Sequence, residues 1–313
     1  MKTAFLFPGQ GAQAVGMGKD LYESSPAARA LFDQAEAITG LGLKKVCFEG
    51  PEDELNRTDV AQPAIFTVSA ALLAAMMERL GAEKFAALQP SFMAGLSLGE
   101  YTALYAGGAM DLASALTLVT RRGQLMQQAA TAALSGMVSV MGLDEAKATE
   151  LCQAAAQGQV LTCANFNCPG QIVLSGAIDA CKRAEAMAKD FGASGAIPLK
   201  VAGAFHSQIM QPAALELGKA MDGVAFRMPV VPVVANVDAA AYAAASEVKG
   251  KLLAQLTGSV RWHQSMDALL AQGVETFYEI GPGRVLAGLM RRINRKAEVV
   301  SVNSREAIEK FLQ

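Results

Sequence analysis

The sequence is poor in the residues that most often move protons or bind metals. Only two histidines, His206 and His263, occur in 313 residues, so an imidazole base must be one of them. The five cysteines, at 47, 152, 163, 168 and 181, form no C-x-x-C pair. Their odd number and their scatter argue against a disulfide frame or a zinc site, and for unpaired buried thiols in a reducing cytosol. Charged residues make up 18% of the chain and nearly cancel, to a formal net charge of −2, which speaks against nucleic acid as an obligate partner. After Met1-Lys2 the apolar run ends at Phe7, too short for a signal-peptide core. The one long uncharged stretch, Val60 to Met77, is alanine-rich and interrupted by Gln62, Pro63 and Ser69. It reads as a buried helix, not a membrane span. No internal repeat or low-complexity linker appears. The expectation is a soluble, cytoplasmic α/β protein with ample core, 52% of the residues being hydrophobic.

Against that background one stretch stands out, Gly95-Leu96-Ser97-Leu98-Gly99. An apolar run ends at Gly95, and helical text begins at Leu98. G-x-S-x-G between a strand and a helix is the pattern of a nucleophile elbow, a tight turn that pushes a serine out at the end of a sheet. Glycines on both sides let strand and helix approach closely. Ser97 then sits at a helix N-terminus, where free N–H groups favour developing negative charge. A chance Gly-Ser loop is the bland alternative.

The N-terminal segment Thr3–Phe7 reads as a buried strand followed by Pro8-Gly9-Gln10-Gly11. Ala14 breaks G-x-G-x-x-G, and the Gly-Lys-Ser/Thr ending of a phosphate loop is missing. A backbone loop able to offer N–H groups to an anion survives both tests. Ser25-Pro26 starts a helix, residues 61–80 form a long apolar one, and Asp111 caps another that runs to about Ala133. On that last helix Leu112, Ala115, Leu116, Val119, Gly123 and Met126 share an arc. Arg122 lies at the edge of the arc and Arg121 points away from it. An inward arginine needs an anion, but a structural salt bridge or a snorkelling side chain fits the same periodicity.

Residues 136–200 read strand Met137–Met141, helix from Asp144 to Ala155, strands Val160–Phe166 and Gln171–Ser175, helix Ile178–Phe191 and strand Ala196–Leu199. This β-α-β-β-α-β order is the ferredoxin-like one. It predicts a small domain, 135–202, inserted into a discontinuous large one, 1–134 and 203–313. The later text predicts a helix from Ser207 to Met221, a strand near Val230–Val234, helices near 247–256 and 264–271, a strand Thr276–Ile280 and a helix Arg284–Ile293. His206 stands where the insert rejoins the large domain, a junction of the kind that carries function. His263 follows Trp262 at a helix start, as a cap or packing residue would. Position therefore favours His206 as the base, with a backbone carbonyl holding its tautomer.

Taken together, Phe7-Pro-Gly-Gln-Gly11, Gly95-Leu-Ser-Leu-Gly-Glu-Tyr101, Arg122-Gly123, Asn165-Phe166-Asn167 with Pro169-Gly170-Gln171, Gly203-Ala-Phe-His206, Val260-Arg-Trp262 and Gly281-Pro-Gly283 resemble the malonyl-CoA:acyl carrier protein transacylases and the related acyltransferase domains of polyketide synthases. The likeness extends over essentially the whole chain. It implies an α/β-hydrolase-like large domain with a ferredoxin-like insert, Ser97 as nucleophile, His206 as base, and the backbone N–H groups of Gln10 and Leu98 as oxyanion donors. It makes Arg122 the clamp for a malonyl carboxylate, with Phe205, Met126 and Asn165 as further substrate contacts. Phe205 stands where polyketide relatives selecting malonyl over methylmalonyl carry phenylalanine. The carbonyl of Arg261 matches the acceptor that orients the histidine. The partners implied are malonyl-CoA and acyl carrier protein, with no metal or redox cofactor and a monomeric chain. Leu96 departs from the histidine that many members carry before the serine, which bears on pocket polarity and substrate range. An acyl-thioester hydrolase would use the same Ser-His pair, but has no need of a carboxylate clamp.

Overall fold

The computed structural model describes residues 2–88 and 90–311. Strands in chain order are β1 (Lys2–Phe7), β2 (Phe92–Gly95), β3 (Ser135–Met141), β4 (Leu161–Cys168), β5 (Gln171–Ala177), β6 (Gly195–Pro198), β7 (Val233–Val234), β8 (Val274–Ile280) and β9 (Glu298–Val302). Five of them make a parallel sheet in the order β7-β2-β1-β8-β9. Helices pack against it, so β1 is a continuous apolar run with Ala4 to Phe7 all buried, as a parallel sheet covered on both faces requires. The register sets Phe7 beside Gly95, which brings the loop after β1 alongside the turn after β2.

Helix Thr58–Leu80 is apolar on every side and buried along most of its length. It is long and apolar enough to cross a membrane, yet 89% of its apolar window is buried inside the protein. Helix Leu112–Ala132 packs against it. Gly123 is what permits the contact, since a Cβ there would stand 2.7 Å from the Thr58 carbonyl oxygen. The Asp111 carboxylate accepts from the Ser114 N–H at 2.7 Å, the cap the sequence announces.

The second sheet is antiparallel, in the order β4-β5-β3-β6. Helices Glu145–Ala156 and Ile178–Met187 pack on it over a separate core that includes Val140, Leu151 and Leu174. Two backbone bonds stitch β4 to the large unit, Phe166 N–H to the Val260 carbonyl at 2.9 Å and Val260 N–H to the Ala164 carbonyl at 2.8 Å.

Some boundaries differ from expectation. The strand near Val230 is only Val233–Val234, because Pro229 and Pro232 have no N–H to give a ladder. The helix expected to reach Phe191 stops at Met187 and continues as turns. After the loop that follows β1, the first helix begins at Lys19, once Gly16 and Gly18 have taken φ of 97° and 76°. Short helices at Leu43–Glu49, Glu52–Leu55, Ala82–Ala87 and Arg305–Phe311, and strand β9, carry no sequence signal strong enough to announce them.

Candidate active site

β2 ends at Gly95 and helix Leu98–Ala106 begins three residues later, so the chain reverses across Leu96 and Ser97. Only glycine fits on either side of the turn. A Cβ on Gly95 would lie 1.9 Å from the Gly99 carbonyl carbon, and one on Gly99 would lie 2.0 Å from the Phe7 carbonyl oxygen. Gly9, in the loop after β1, is pressed just as closely on the turn, with a would-be Cβ 2.3 Å from the Leu96 carbonyl oxygen. Ser97 itself is held at φ 53°, ψ −101°, a conformation costly for a residue with a side chain.

Side chains from distant segments hold that strain. Asn236, 1% exposed, accepts from the Ser97 N–H through Oδ1 at 2.7 Å and donates through Nδ2 to the Gly95 carbonyl at 2.8 Å. Gln255 donates through Nε2 to the Ser97 carbonyl at 2.9 Å and to Glu100 Oε2 at 2.7 Å. Glu100 also accepts from the Asn236 N–H at 3.0 Å and from the Tyr242 hydroxyl. Burial pushes the Glu100 carboxyl up to about 7 against the pull of those donors.

Ser97 Oγ lies 2.8 Å from His206 Nε2, and His206 Nδ1 lies 2.7 Å from the Gln255 carbonyl oxygen. A carbonyl can only accept, so Nδ1 carries the proton and Nε2 is free to accept from the Ser97 hydroxyl. Burial first, and the Arg122 charge second, push the imidazole down to about 4, so it is neutral at neutral pH. His263, by contrast, is partly exposed and sits 3.2 Å from Asp267 on its own helix. The expectation for the Arg261 carbonyl is corrected. Arg261 is the N-cap of helix Trp262–Ala271, and its carbonyl accepts from the Ser265 N–H at 2.9 Å and hydroxyl at 2.8 Å. With its carbonyl committed to the helix start, the histidine is oriented by Gln255 instead.

Arg122 is 1% exposed. Its Nη1 donates to Gln62 Oε1 at 2.7 Å, and its Nη2 donates to Gln255 Oε1 at 2.9 Å and to Ser97 Oγ at 3.0 Å. Its Cζ stands 5.3 Å from the centre of the Tyr101 ring, and its Nε has no partner. A buried cation is thus surrounded by neutral acceptors, next to the serine. Its near-counterion is Glu100, one amide away through Gln255.

These groups open on a cavity of about 520 Å³ lined by Gln10, Ser97, Leu98, Arg122, Met126, Asn165, Phe205 and His206 among others. All the expected site residues except Arg261 therefore meet in one cleft between the two sheets; Arg261 lines a different cavity. Leu98, the first residue of its helix, has no preceding turn for its N–H. Leu96 lines the cleft as well, so an apolar side chain flanks the serine there. A second cavity, about 420 Å³ and lined by Leu73, Phe85, Tyr105 and Val230 among others, is apolar and contains no base. Among the described residues no group of three His, Cys, Asp or Glu side chains could hold a metal ion.

Gln255 and Asn236 are the functional positions that sequence reading missed. Both left a faint signal. Gln255 occupies a core slot on helix Ala245–Thr257, in the buried series Val248, Leu252, Gln255, Leu256, and Asn236 interrupts the apolar run Val233–Val237. A polar residue in such a place has to find partners indoors.

The acyl transferase domain family matches residues 4–307. The malonyl CoA-acyl carrier protein transacylase of Bacillus subtilis is 43% identical over 315 residues, covering 100% of this chain and 96% of that one. An acyl-carrier-protein S-malonyltransferase from Bartonella henselae superposes with a TM-score of 0.94 at 41% identity, covering 100% and 98%. A malonyl-transacylase solved in complex with its type II polyketide acyl-carrier protein superposes with a TM-score of 0.93 at 38% identity, covering 99% and 98%. The chain belongs to the acyl transferase domain family, among relatives named malonyl CoA-acyl carrier protein transacylases.

Proposed function

We propose that this chain transfers a malonyl group from malonyl-CoA to the phosphopantetheine thiol of acyl carrier protein through a malonyl-Ser97 intermediate, serving fatty acid synthesis. The observation that carries this reading is Arg122, a buried guanidinium with only neutral partners and 3.0 Å from Ser97 Oγ. Such a cation calls for an anionic ligand. A carboxylate two bonds beyond a thioester carbonyl suits it, and a planar fork binds it with two parallel bonds.

In the first half-reaction Ser97 Oγ attacks the thioester carbon while its proton passes to His206 Nε2. The oxyanion lies toward the backbone N–H groups of Leu98 and Gln10. Collapse breaks the C–S bond, and the CoA thiolate leaves with the proton from Nε2. In the second half-reaction the carrier thiol gives its proton to Nε2 and its sulfur attacks the ester carbon; collapse breaks the Ser97 Oγ–C bond, and Nε2 returns the proton to Oγ, restoring Ser97. Gln255 keeps the imidazole in one tautomer throughout. No metal or redox cofactor enters these steps. Phe205 and Met126 wall the cleft where a substituent on the malonyl carbon would project, and Asn165 contributes from the β4 side. The reading also takes 1–134 with 203–313 as an α/β-hydrolase-like domain and 135–202 as a ferredoxin-like insert, working as a cytoplasmic monomer. The β4-β5-β3-β6 order and the elbow after β2 support the two-domain description.

Mixing the protein with malonyl-CoA and weighing it intact tests the reading. The wild type should gain one malonyl group, Ser97→Ala none, and carrier protein should discharge the adduct far faster than water. Transfer by Ser97→Ala at the wild-type rate would overturn it. Malonate release indifferent to carrier protein would point to a hydrolase.

A further inference from the structure

We propose that Cys152 and Cys163 are a peroxide-reactive thiol pair that closes to a disulfide, tying helix Glu145–Ala156 to strand β4. The two sulfurs lie 3.8 Å apart, one on the helix and one on the strand beneath it. Both line a cavity of about 330 Å³ open to solvent, beside Thr149 and Arg261, so a small oxidant reaches them although each is more than nine-tenths buried. The other cysteines are placed differently. Cys168 Sγ faces the Gln171 side-chain carbonyl at 3.5 Å, Cys181 Sγ faces the Gly136 carbonyl at 3.3 Å, and Cys47 lies in the core of the large unit. Among the described residues 152 and 163 are the cysteines whose thiols are within hydrogen-bond reach of each other.

Either thiol can donate to the other; in the proposed step Cys163 attacks and Cys152 resolves. The Cys163 thiolate attacks one oxygen of hydrogen peroxide; an S–O bond forms, the O–O bond breaks, and hydroxide leaves to take up a proton as water. Cys152 then attacks the Cys163 sulfur. The S–S bond forms, the S–O bond breaks, and the departing oxygen takes the Cys152 proton to leave as a second water. Two thiols lose two electrons to one peroxide. Bringing the sulfurs from 3.8 Å to a bonding distance of about 2 Å draws helix and strand together. The strand is also held by Ser259, whose hydroxyl donates to the Cys163 carbonyl at 2.6 Å.

The test uses the full chain, titrated with hydrogen peroxide, alkylated at the remaining thiols, digested and mapped by mass spectrometry. A cross-linked peptide containing Cys152 and Cys163, with the other three cysteines still alkylated and dithiothreitol restoring all five, is the expected result. In Cys152→Ser the sulfenic acid has no resolving thiol, so dimedone should label Cys163. Oxidation of Cys163 to sulfinic acid in the wild type with no cross-link, or a cross-link between any other two cysteines, would overturn the proposal. The wild-type map decides even if the variant fails to fold.

Discussion

Asn236→Ala asks whether the serine turn is held from outside or by its own glycines. The substitution strands the Ser97 N–H and the Gly95 carbonyl, which Asn236 meets at 2.7 and 2.8 Å. Each stranded buried group costs about 1–3 kcal/mol, so the folded state loses roughly 2–6 kcal/mol, less whatever water entering the gap restores. The positive-φ conformation of Ser97 stores a further ~1–3 kcal/mol that the clamp opposes. Once released, Ser97 Oγ drifts from His206 Nε2, and a shift of about 1 Å lowers a rate on the order of 10²-fold. Acylation by malonyl-CoA, followed by rapid quench and intact mass, should slow by about that factor. KM should change little, because Arg122 does not touch Asn236. Asn236→Asp sharpens the test. It keeps an acceptor for the Ser97 N–H but sets a second oxygen against the Gly95 carbonyl, close to Glu100. Its acylation should be slow at neutral pH and recover in acid, where the introduced carboxyl gains a proton to donate. Wild-type acylation by Asn236→Ala, or an Asp variant indifferent to pH, refutes the clamp.

Arg122→Ala removes two charge-assisted bonds to a malonyl carboxylate, each worth about 1.5–3 kcal/mol. kcat/KM for malonyl-CoA should fall roughly 10²- to 10⁴-fold while acetyl-CoA changes little, and equal losses would remove the clamp role. The His206 imidazole, followed by NMR with His263→Gln for assignment, should titrate near 4; a midpoint at its ordinary 6.5 contradicts the burial argument. The folded value lies below the unfolded one, so the unfolded chain takes the proton first. Neutral His206 therefore stabilises the fold fully above 6.5, and that contribution is lost as pH falls toward 4. In Arg122→Ala the midpoint should rise, since the arginine's charge is the second cause of the depression.

What was legible in the sequence was local. Gly95 and Gly99 flag a turn because contacts across four residues admit no Cβ, and Asp111 flags a helix start because its carboxylate bonds the N–H three residues on. The alternation of strands and helices in 136–200 follows from period and turn chemistry over a dozen residues at a time. Arg122 could be put at the edge of an apolar arc, but periodicity could not say whether an anion or a salt bridge waited there. What stayed hidden runs between segments. Asn236 reaches the turn across 139 residues and Gln255 across 158, and no local pattern encodes either pairing. The Arg261 expectation failed for the same reason. An acceptor for His206 has to be near in space, and the carbonyl at Arg261 is consumed by the helix it caps, while the carbonyl at Gln255 is turned toward the imidazole.

The placement of charge explains why a glutamine occupies that slot. Glu100 bonded directly to Arg122 would neutralise the guanidinium and occupy the edge a substrate carboxylate needs. With no carboxylate nearby, the buried cation would be far costlier. Gln255 stands between them, its Oε1 accepting from Arg122 Nη2 and its Nε2 donating to Glu100 Oε2. The amide links the guanidinium to the Glu100 carboxyl and leaves Arg122 with neutral partners only, Ser97 Oγ among them. The same residue's backbone carbonyl holds His206 Nδ1–H, so Arg122 and His206 share one support. On the proposed reading, a malonyl carboxylate docking on Arg122 would cancel the charge that depresses the imidazole. The base would then be stronger with the anionic acyl donor in place than without it, so selectivity for an anionic acyl group would follow from the charge balance as much as from the shape of the cleft.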